Sequence, residues 1–372
     1  MAGLYIHIPY CHSKCAYCDF YSRPDDGNAG LVADTIVKEF RLRKHEFAEP
    51  ITTIYIGGGT PSILPDRLLG DIVKGIGIDS FDIKEFTIEV NPEDIYPEKL
   101  KFWKALGIDR ISMGVQSLCD AELKAVGRRH SAQTALDALD MIREAGFTKI
   151  SCDLIYGLPG QSVYSWQESL TRLLDTGITH LSAYSLTYEQ GTLLYARMLN
   201  GKVIPADDDT VLELYSILCD ETAARGFRHY EISNFALPAY EAIHNSSYWN
   251  DTPYLGLGPS AHSFDGHTRR INPASVRTYI ENMPAFEIEA ESEIDRLNDR
   301  IITALRTDRG LELNSIPHKY RSSIERYARI WVNRSMLEYR GDVLIIPERH
   351  WMMADAIMRD LILTDSDQTD SE

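Results

Sequence analysis

Six short β-rich runs, each followed by a helical segment, constrain the fold of this 372-residue chain more than any other feature. The runs are residues 4–9, 53–58, 85–90, 110–115, 150–157 and 180–186. Apolar side chains recur at helical spacing in residues 29–45 and 131–147, and the second segment has Gly146, a common helix cap, near its end. Such alternation predicts parallel strands joined by right-handed crossovers. The predicted fold class is therefore α/β, with an open, partial (β/α)6 barrel.

Three of the six cysteines lie close together after the first predicted strand. Cys11, Cys15 and Cys18 have the spacing C-x3-C-x2-C, whereas the other three are scattered among apolar neighbours. A structural zinc site requires four ligands, usually as two pairs, and no second Cys/His pair lies at finger spacing. Three thiolates on a short loop suit a [4Fe-4S] cluster with one iron left open. We predict such a cluster, with a degenerate zinc loop as the alternative.

Polar or glycine residues end or follow the other five predicted strands. They are the stretch 57–62, then Glu89, Gln116, Asp153 and Thr187. Taken singly, a glycine-rich turn is usually only a turn, and a carboxylate usually has a structural role. In (β/α) barrels the site lies at the carboxyl ends of the strands, so these residues together predict one shared site. The glycines are expected to let backbone approach a ligand and to present N–H groups to it.

Six stretches of the sequence carry a resemblance to a known family. They are LYIHIPYCHSKCAYCDFYS, YIGGGTPS, EVNP, RISMGVQS, DLIYGLPGQ and LGLGPSAHSF. Over roughly residues 4–360 the chain resembles the oxygen-independent coproporphyrinogen III oxidases, a group of radical S-adenosylmethionine (SAM) proteins. Phe20 stands where those oxidases carry a further cysteine, and their N-terminal extension is absent here. The segment HNSSYW, His244 to Trp249, is similar to the HNxxYW pattern of the HemW-type heme chaperones of the same group.

The resemblance implies a role for individual residues. Cys11, Cys15 and Cys18 would bind the [4Fe-4S] cluster, and SAM would occupy the open iron. The implied SAM contacts are Tyr17 near the adenine, Gly58, Gly59 and Thr60 on the methionine and ribose side, and Glu89, Gln116, Arg128, Asp153 and Thr187 at further positions. Some of the last positions serve a second SAM in the oxidases. His244 is the implied candidate for a heme ligand, with Tyr248 as a second ligand or a hydrogen-bond partner; no catalytic residue is predicted.

The chain divides into four predicted regions: the barrel (1–190), an extension with the HNSSYW segment (191–290), a winged-helix-like α+β domain (291–365) and an acidic tail (366–372). Residues 228–236 are expected to form one strand, and the irregular stretch 236–275 to cover the open side of the barrel. Residues 291–360 contain 12 acidic and 12 basic side chains, so we expect a packing or docking role for this domain rather than DNA binding.

The predicted function is a heme chaperone on a radical SAM scaffold, which delivers heme to an acceptor protein of unknown identity. The alternative is a radical SAM oxidoreductase of the coproporphyrinogen oxidase type. A nucleic-acid-modifying enzyme is disfavoured because a formal net charge of −17 repels phosphate backbones. The sequence has neither a secretory signal nor an apolar run of membrane-spanning length, which predicts a cytoplasmic protein and leaves peripheral membrane contact open.

Overall fold

The six predicted strands form the centre of one large sheet. The computed structural model describes residues 2–46, 49–283 and 286–368. Strands β1 to β6 span Ala2–Ile8, Ile51–Gly58, Glu85–Val90, Arg110–Gln116, Lys149–Tyr156 and His180–Ser185. Each pairs in parallel with the next along the chain, and β1 does not pair with β6. The prediction of an open, partial (β/α)6 barrel is confirmed.

Helices connect and cover these strands. The first eight, α1 to α8, span Ala29–Arg43, Asp66–Ile76, Pro97–Ala105, Asp120–Ala125, Ala132–Glu144, Val163–Leu174, Leu193–Leu199 and Asp208–Ala224. The N-cap of α5 is Ser131, whose side chain accepts a hydrogen bond from the Thr134 amide, and Gly146 beyond its end has a φ of +80°. The apolar strand residues are buried, as the continuous β-branched runs of a covered parallel sheet require.

Further strands extend the sheet at both edges. Beyond β6 lie β8 (Asn234–Ala236) and β7 (Arg228–Glu231), so the single strand expected over 228–236 is a hairpin. Beyond β1 lie β9 (Tyr254–Leu257), parallel to β1, and then three antiparallel strands. Those strands, β10 to β12, span His262–Phe264, Thr268–Ile271 and Glu287–Ala290, and two short helices, α9 and α10, span Ile243–Ser247 and Val276–Asn282. The stretch 236–275 therefore contains regular structure that extends the sheet.

The C-terminal residues have their own core and a second, three-stranded sheet. In chain order they form α11, β13, α12, β14, β15 and α13, which span Glu293–Leu305, Leu311–Glu312, His318–Asn333, Glu338–Arg340, Val343–Ile345 and Ala354–Asp360. This order contains the predicted helix, helix, hairpin and helix, with the short strand β13 in addition. The expected acidic tail begins with a 3-10 turn in which the buried Asp367 carboxylate accepts a hydrogen bond from Tyr327. Residues 369–372 lie outside the described residues.

No helix in the described part of the chain is long and apolar enough to cross a membrane.

Candidate cofactor site

A cavity of about 510 Å³ opens at the carboxyl ends of the six parallel strands. Its lining includes all twelve residues predicted for the cluster and SAM: Cys11, Cys15, Tyr17, Cys18, Gly58, Gly59, Thr60, Glu89, Gln116, Arg128, Asp153 and Thr187. Apart from Arg128, which follows α4, they come from the ends of different strands or from the loops after them, and they converge because parallel strands end at a common rim. The rim thus has the composition of a small-molecule site, a concave surface with a few convergent polar groups.

Backbone hydrogen bonds hold the cysteine loop from several sides. The Cys11 amide donates to the carbonyl of Arg23 at 3.0 Å, so the loop closes onto its own far end. The Ala16 amide donates to Val126 at 2.9 Å, and the Ala16 carbonyl accepts from the Leu194 amide at 2.7 Å. The loop is therefore fixed to the end of α4 and the start of α7 through backbone contacts as well as through its own turn.

The loop thiols are placed for a group larger than one metal ion. Among the described residues, the triple whose ligand atoms lie within 4.8 Å of one another is found elsewhere, so the three loop cysteines are spaced more widely than that. The Thr60 hydroxyl donates to Cys11 Sγ at 3.2 Å, and Arg128 Nη1 donates to Cys15 Sγ at 3.7 Å. Burial raises the pKa of Cys18 to about 11, so its proton leaves only when a metal replaces it. This donor set fits a multi-iron cluster better than a zinc ion.

The glycines after β2 serve a different purpose from the one expected. A Cβ on Gly59 would lie 2.6 Å from the Tyr10 carbonyl oxygen and 2.8 Å from that of Ile8. The Gly59 amide donates to the Ile8 carbonyl, and the Gly58 amide donates to Glu89 Oε2 at 3.0 Å. These N–H groups are thus used within the protein, and glycine is required because this loop packs directly under the cysteine loop.

Two carboxylates in the cavity are destabilised in their charged form. Burial raises the pKa of Glu89 to about 7, partly offset by a 2.7 Å hydrogen bond from the Tyr55 hydroxyl, and the nearby Asp153 raises it further. Burial likewise raises the pKa of Asp153 to about 6, against the lowering effects of Ser182 and Arg128. A cationic ligand would favour the ionised form of both carboxylates.

One rim residue, Asn91, was missed as a functional residue although it lies in the quoted EVNP stretch. Its side-chain oxygen accepts from Arg128 Nη2 at 2.8 Å, and its nitrogen donates to Thr60 Oγ1 at 3.3 Å. Arg128 also donates to the Gly114 carbonyl, beside Gln116, which has a φ of +67°. A left-handed non-glycine residue at a strand end is the kind of backbone strain found at ligand sites. The position of Asn91 directly after a strand was the available signal.

The HNSSYW residues lie together but away from this cavity. His244 is 0% exposed; its Nδ1 is 2.9 Å from Thr53 Oγ1 and its Nε2 is 3.0 Å from the Tyr248 hydroxyl. Burial lowers the pKa of His244 to about 3, so the ring is neutral. In this arrangement both ring nitrogens already have partners, and heme ligation by His244 stays a prediction.

His244 nevertheless contacts the cofactor cavity indirectly. Its ring stacks on Tyr55 with centroids 5.2 Å apart and an angle of 26° between the planes. The Tyr55 hydroxyl is the group that donates to Glu89. The HNSSYW segment therefore supports the side chain that orients one of the two buried carboxylates.

A second, larger cavity of about 840 Å³ lies at the opposite ends of the strands. It is lined by Ala2 and Thr53 at the starts of β1 and β2, and by Ile243, Ser247 and Trp249 of the HNSSYW region. Its other wall is formed by C-terminal residues, among them Ala304, Arg309 and Leu311. The two motif regions thus face two different cavities at opposite ends of the barrel.

Among the comparisons with known proteins, a family model matches the barrel, and individual proteins match nearly the whole chain. The family model of the Radical SAM superfamily matches residues 5–173, which hold the cysteine loop and the strands to β5. The solved structure of coproporphyrinogen III oxidase (HemN) from Escherichia coli has the same fold, with a TM-score of 0.83 over 97% of this chain and 90% of that chain at 21% identity. The family match and the fold therefore define the class of this chain as radical SAM proteins.

Sequence relatives narrow this class. The protein named heme chaperone HemW of Bacillus subtilis is 33% identical over 339 residues, which cover 87% of this chain and 88% of that protein. The protein of the same name from Mycobacterium tuberculosis is 32% identical over 373 residues, covering 97% and 94%. Within the radical SAM proteins, this chain belongs to the HemW family.

Proposed function

We propose that this protein is a heme chaperone that binds heme, one [4Fe-4S] cluster and SAM, and delivers heme to an acceptor protein. The observation that carries the proposal is the similarity of nearly the whole chain to proteins named as heme chaperones. The similarity extends beyond the barrel into the HNSSYW region and the C-terminal unit. We place the protein in the cytoplasm, where a reducing environment would keep the loop thiols available, as all six cysteines are free.

In this proposal the rim cavity holds the cluster and SAM. Cys11, Cys15 and Cys18 would bind the cluster, and SAM would occupy the iron that they leave open. When bound, the cluster would supply redox chemistry beside SAM. Glu89 and Asp153 line the cavity that would hold the positively charged groups of SAM, and Arg128 holds the cysteine loop against the end of β4. The protein's own contribution is to orient SAM and to favour its positive charge.

The larger cavity is the proposed place for heme. Its volume of about 840 Å³ lies within the usual range of small-molecule sites, roughly 300–1,000 Å³. Ile243, Trp249 and Ala304 offer apolar surface to a porphyrin, and the exposed Arg309 suits a propionate. His244 and Tyr248 lie behind this wall, so His244 becomes an axial ligand only if one of its ring nitrogens gives up its contact, Nδ1 with Thr53 or Nε2 with Tyr248.

The test is a spectroscopic titration of hemin into the anaerobic, cluster-loaded protein with and without SAM. We expect a shifted Soret band that weakens in His244→Ala and Trp249→Ala. His180→Ala is the matched control, because His180 is also buried with both nitrogens bonded, to Ser151 Oγ and the Tyr230 hydroxyl, each at 2.7 Å. A Soret band unchanged in both His244→Ala and Trp249→Ala would remove heme from this cavity.

The same preparation separates a chaperone from an oxidase. Likeness to the Escherichia coli enzyme is a likeness of fold, and Phe20, 64% exposed at the cavity, stands at the position of the oxidases' further cysteine. Reduced protein incubated anaerobically with SAM and coproporphyrinogen III is expected to form no protoporphyrinogen. Formation of that product would replace the chaperone proposal with the oxidase.

A further inference from the structure

A second group of metal-binding side chains lies far from the cysteine loop. One ligand atom from each of Cys219, His229 and Glu348 lies within 4.8 Å of the others. Cys219 belongs to α8, His229 to β7, and Glu348 to the 3-10 helix Glu348–Met353 of the C-terminal unit. Three parts of the fold that are distant in sequence therefore direct a thiol, an imidazole and a carboxylate to one point.

The His229 ring is fixed in the orientation that a metal ligand requires. It stacks on Phe235 with centroids 3.9 Å apart and 16° between planes, and the edge of Trp351 packs against it at 4.3 Å. Nε2 lies 3.3 Å from the Ile232 carbonyl oxygen, so it can donate to it, and Nδ1 lies 2.9 Å from Glu348 Oε1. Metal-binding histidines commonly donate their second nitrogen to a carbonyl in this way, which leaves the first nitrogen's lone pair for the ion.

The 2.9 Å contact between His229 Nδ1 and Glu348 Oε1 has two explanations. Either Nδ1 carries a hydrogen and donates it to the carboxylate, or both atoms are ligands of one metal ion that the Cys219 sulfur also contacts. The two possibilities differ in whether the thiol takes part.

The Tyr215 side chain favours the metal. It lies one helical turn before Cys219 on α8 and interacts with the thiol and with Glu348. It is 7% exposed, and its hydroxyl meets the Cys219 thiol, a weak acceptor, with no stronger partner among the described residues. A thiolate on a metal would accept this hydrogen bond more strongly.

We propose that Cys219, His229 and Glu348 bind a zinc ion that joins the C-terminal unit to the edge of the main sheet. One sulfur, one nitrogen and one oxygen ligand are a zinc donor set. On binding, the Cys219 thiol releases its proton to solvent, His229 binds through neutral Nδ1, and water completes the coordination on the side where Glu348 is 56% exposed. The site is distinct from the cluster loop and does not depend on the heme proposal.

The experiment uses untagged, anaerobically purified, cluster-loaded protein with one equivalent of zinc. Zinc K-edge absorption is specific to the element, so the iron of the cluster does not interfere. We expect one sulfur at about 2.3 Å and nitrogen or oxygen ligands at about 2.0–2.2 Å. Glu348→Gln, at an exposed side chain, should keep the sulfur and raise the zinc dissociation constant at least about tenfold.

Cys219→Ser should remove the sulfur from the zinc spectrum and abolish zinc-induced stabilisation in thermal unfolding. Cys119→Ser is the matched control, since this half-buried cysteine lies outside the group, and it should bind zinc like the unchanged protein. Absence of stoichiometric zinc, or a zinc spectrum with several sulfurs that survives in Cys219→Ser, would overturn the proposal. Absence of zinc would favour a direct hydrogen bond between His229 and Glu348. A multi-sulfur spectrum would indicate that zinc binds at the cysteine loop instead.

Discussion

The cysteine loop and the HNSSYW helix both stand out as short motifs, yet the structure treats them differently. The thiols of the cysteine loop line one part of an open cavity. Carboxylates and a guanidinium from other segments line the rest of it. The imidazole of the HNSSYW helix is 0% exposed and has both nitrogens bonded within the protein. The cysteine loop faces open space, whereas the His244 imidazole would have to give up one of its hydrogen bonds before it could bind a ligand.

The difference teaches that a ligand site is recognised by charged groups that the protein buries without fully neutralising them. Burial raises the pKa of Glu89 to about 7 and that of Asp153 to about 6, because it outweighs the hydrogen bonds that these carboxylates accept. His244 has its partners in Thr53 and Tyr248. The HNSSYW segment therefore stabilises the fold and supports Tyr55, which donates to Glu89. Contact between His244 and heme would require movement of the His244 side chain or its neighbours.

The largest expected effect is at the cysteine loop. Cys15→Ala should abolish the iron content and brown absorbance of the anaerobically purified protein, because two thiolates cannot hold a cluster that already lacks a fourth protein ligand. Iron analysis and visible absorbance measure this. Cys119→Ser should retain the cluster, and a Cys15→Ala protein that keeps its iron would show that the rim is not a cluster site.

Arg128 should have the next largest effect. Arg128→Ala removes donors to Cys15 Sγ, Asn91 Oδ1 and the Gly114 carbonyl, so SAM affinity should fall at least about tenfold. Arg129→Ala is the control, because Arg129 is the exposed neighbour. Anaerobic calorimetric titration measures the SAM affinity of both variants. Equal losses of affinity would show that Arg128 acts only through its positive charge and not through its hydrogen bonds.

The carboxylate of Glu89 should make SAM binding depend on pH. Since the pKa of Glu89 is raised to about 7 and SAM carries positive charge, affinity should increase about tenfold from pH 6 to pH 8 as the carboxylate ionises. Glu89→Gln should bind more weakly and lose this dependence. A wild-type affinity that is flat across this range would remove Glu89 from the SAM contacts.

Folding stability should change with pH in the opposite sense. Glu89 keeps its proton up to about pH 7 when folded but only to about 4.5 when unfolded. The stabilisation is therefore fully present below pH 4.5 and is lost as pH rises through 7, by up to about 3 kcal/mol relative to Glu89→Gln. Urea unfolding without SAM at pH 5 and pH 8 measures it, and a larger stability gap in favour of Glu89→Gln at pH 5 would contradict it.

The smallest effect is expected at the HNSSYW helix. Tyr248→Phe leaves His244 Nε2 without its partner and should lower the free energy of unfolding by about 1 kcal/mol. SAM affinity should change less than about twofold, because Tyr55 and Glu89 keep their contact. A strong loss of SAM binding in Tyr248→Phe would show that the two regions are more tightly coupled than the comparison implies.

The central fold could be predicted because its signals are local. Strands β1 to β6 are short runs rich in apolar and β-branched residues, and the cap residues of α5 can be read directly from the sequence. The edge strands β9 to β12 are short and partly polar, with β11 half-buried and β12 exposed along their lengths. Their pairing depends on where β1 leaves an open edge, which no local pattern records. The β7–β8 hairpin, which the sequence predicted as one strand, likewise depends on the open edge at β6.

Most residues that line the rim cavity could be predicted from the order of the strands, because the carboxyl ends of neighbouring parallel strands lie at the same edge of a sheet. Asn91 was missed because an asparagine after a strand is common in turns. The contact of His244 with Tyr55, and the meeting of Cys219 with Glu348, join residues 189 and 129 positions apart. Neither pair has a spacing that a motif could express.

By itself, the sequence determined the strand–helix alternation, the position of the three loop cysteines and the set of residues brought to one rim. These follow from periodicity and from the common direction of parallel strands. Only the tertiary structure decided that Glu89 and Asp153 are buried without full neutralisation and that His244 is enclosed with both nitrogens bonded. The physical reason is that hydrogen-bond satisfaction and desolvation depend on all neighbours in space, and most of those neighbours are remote in the chain.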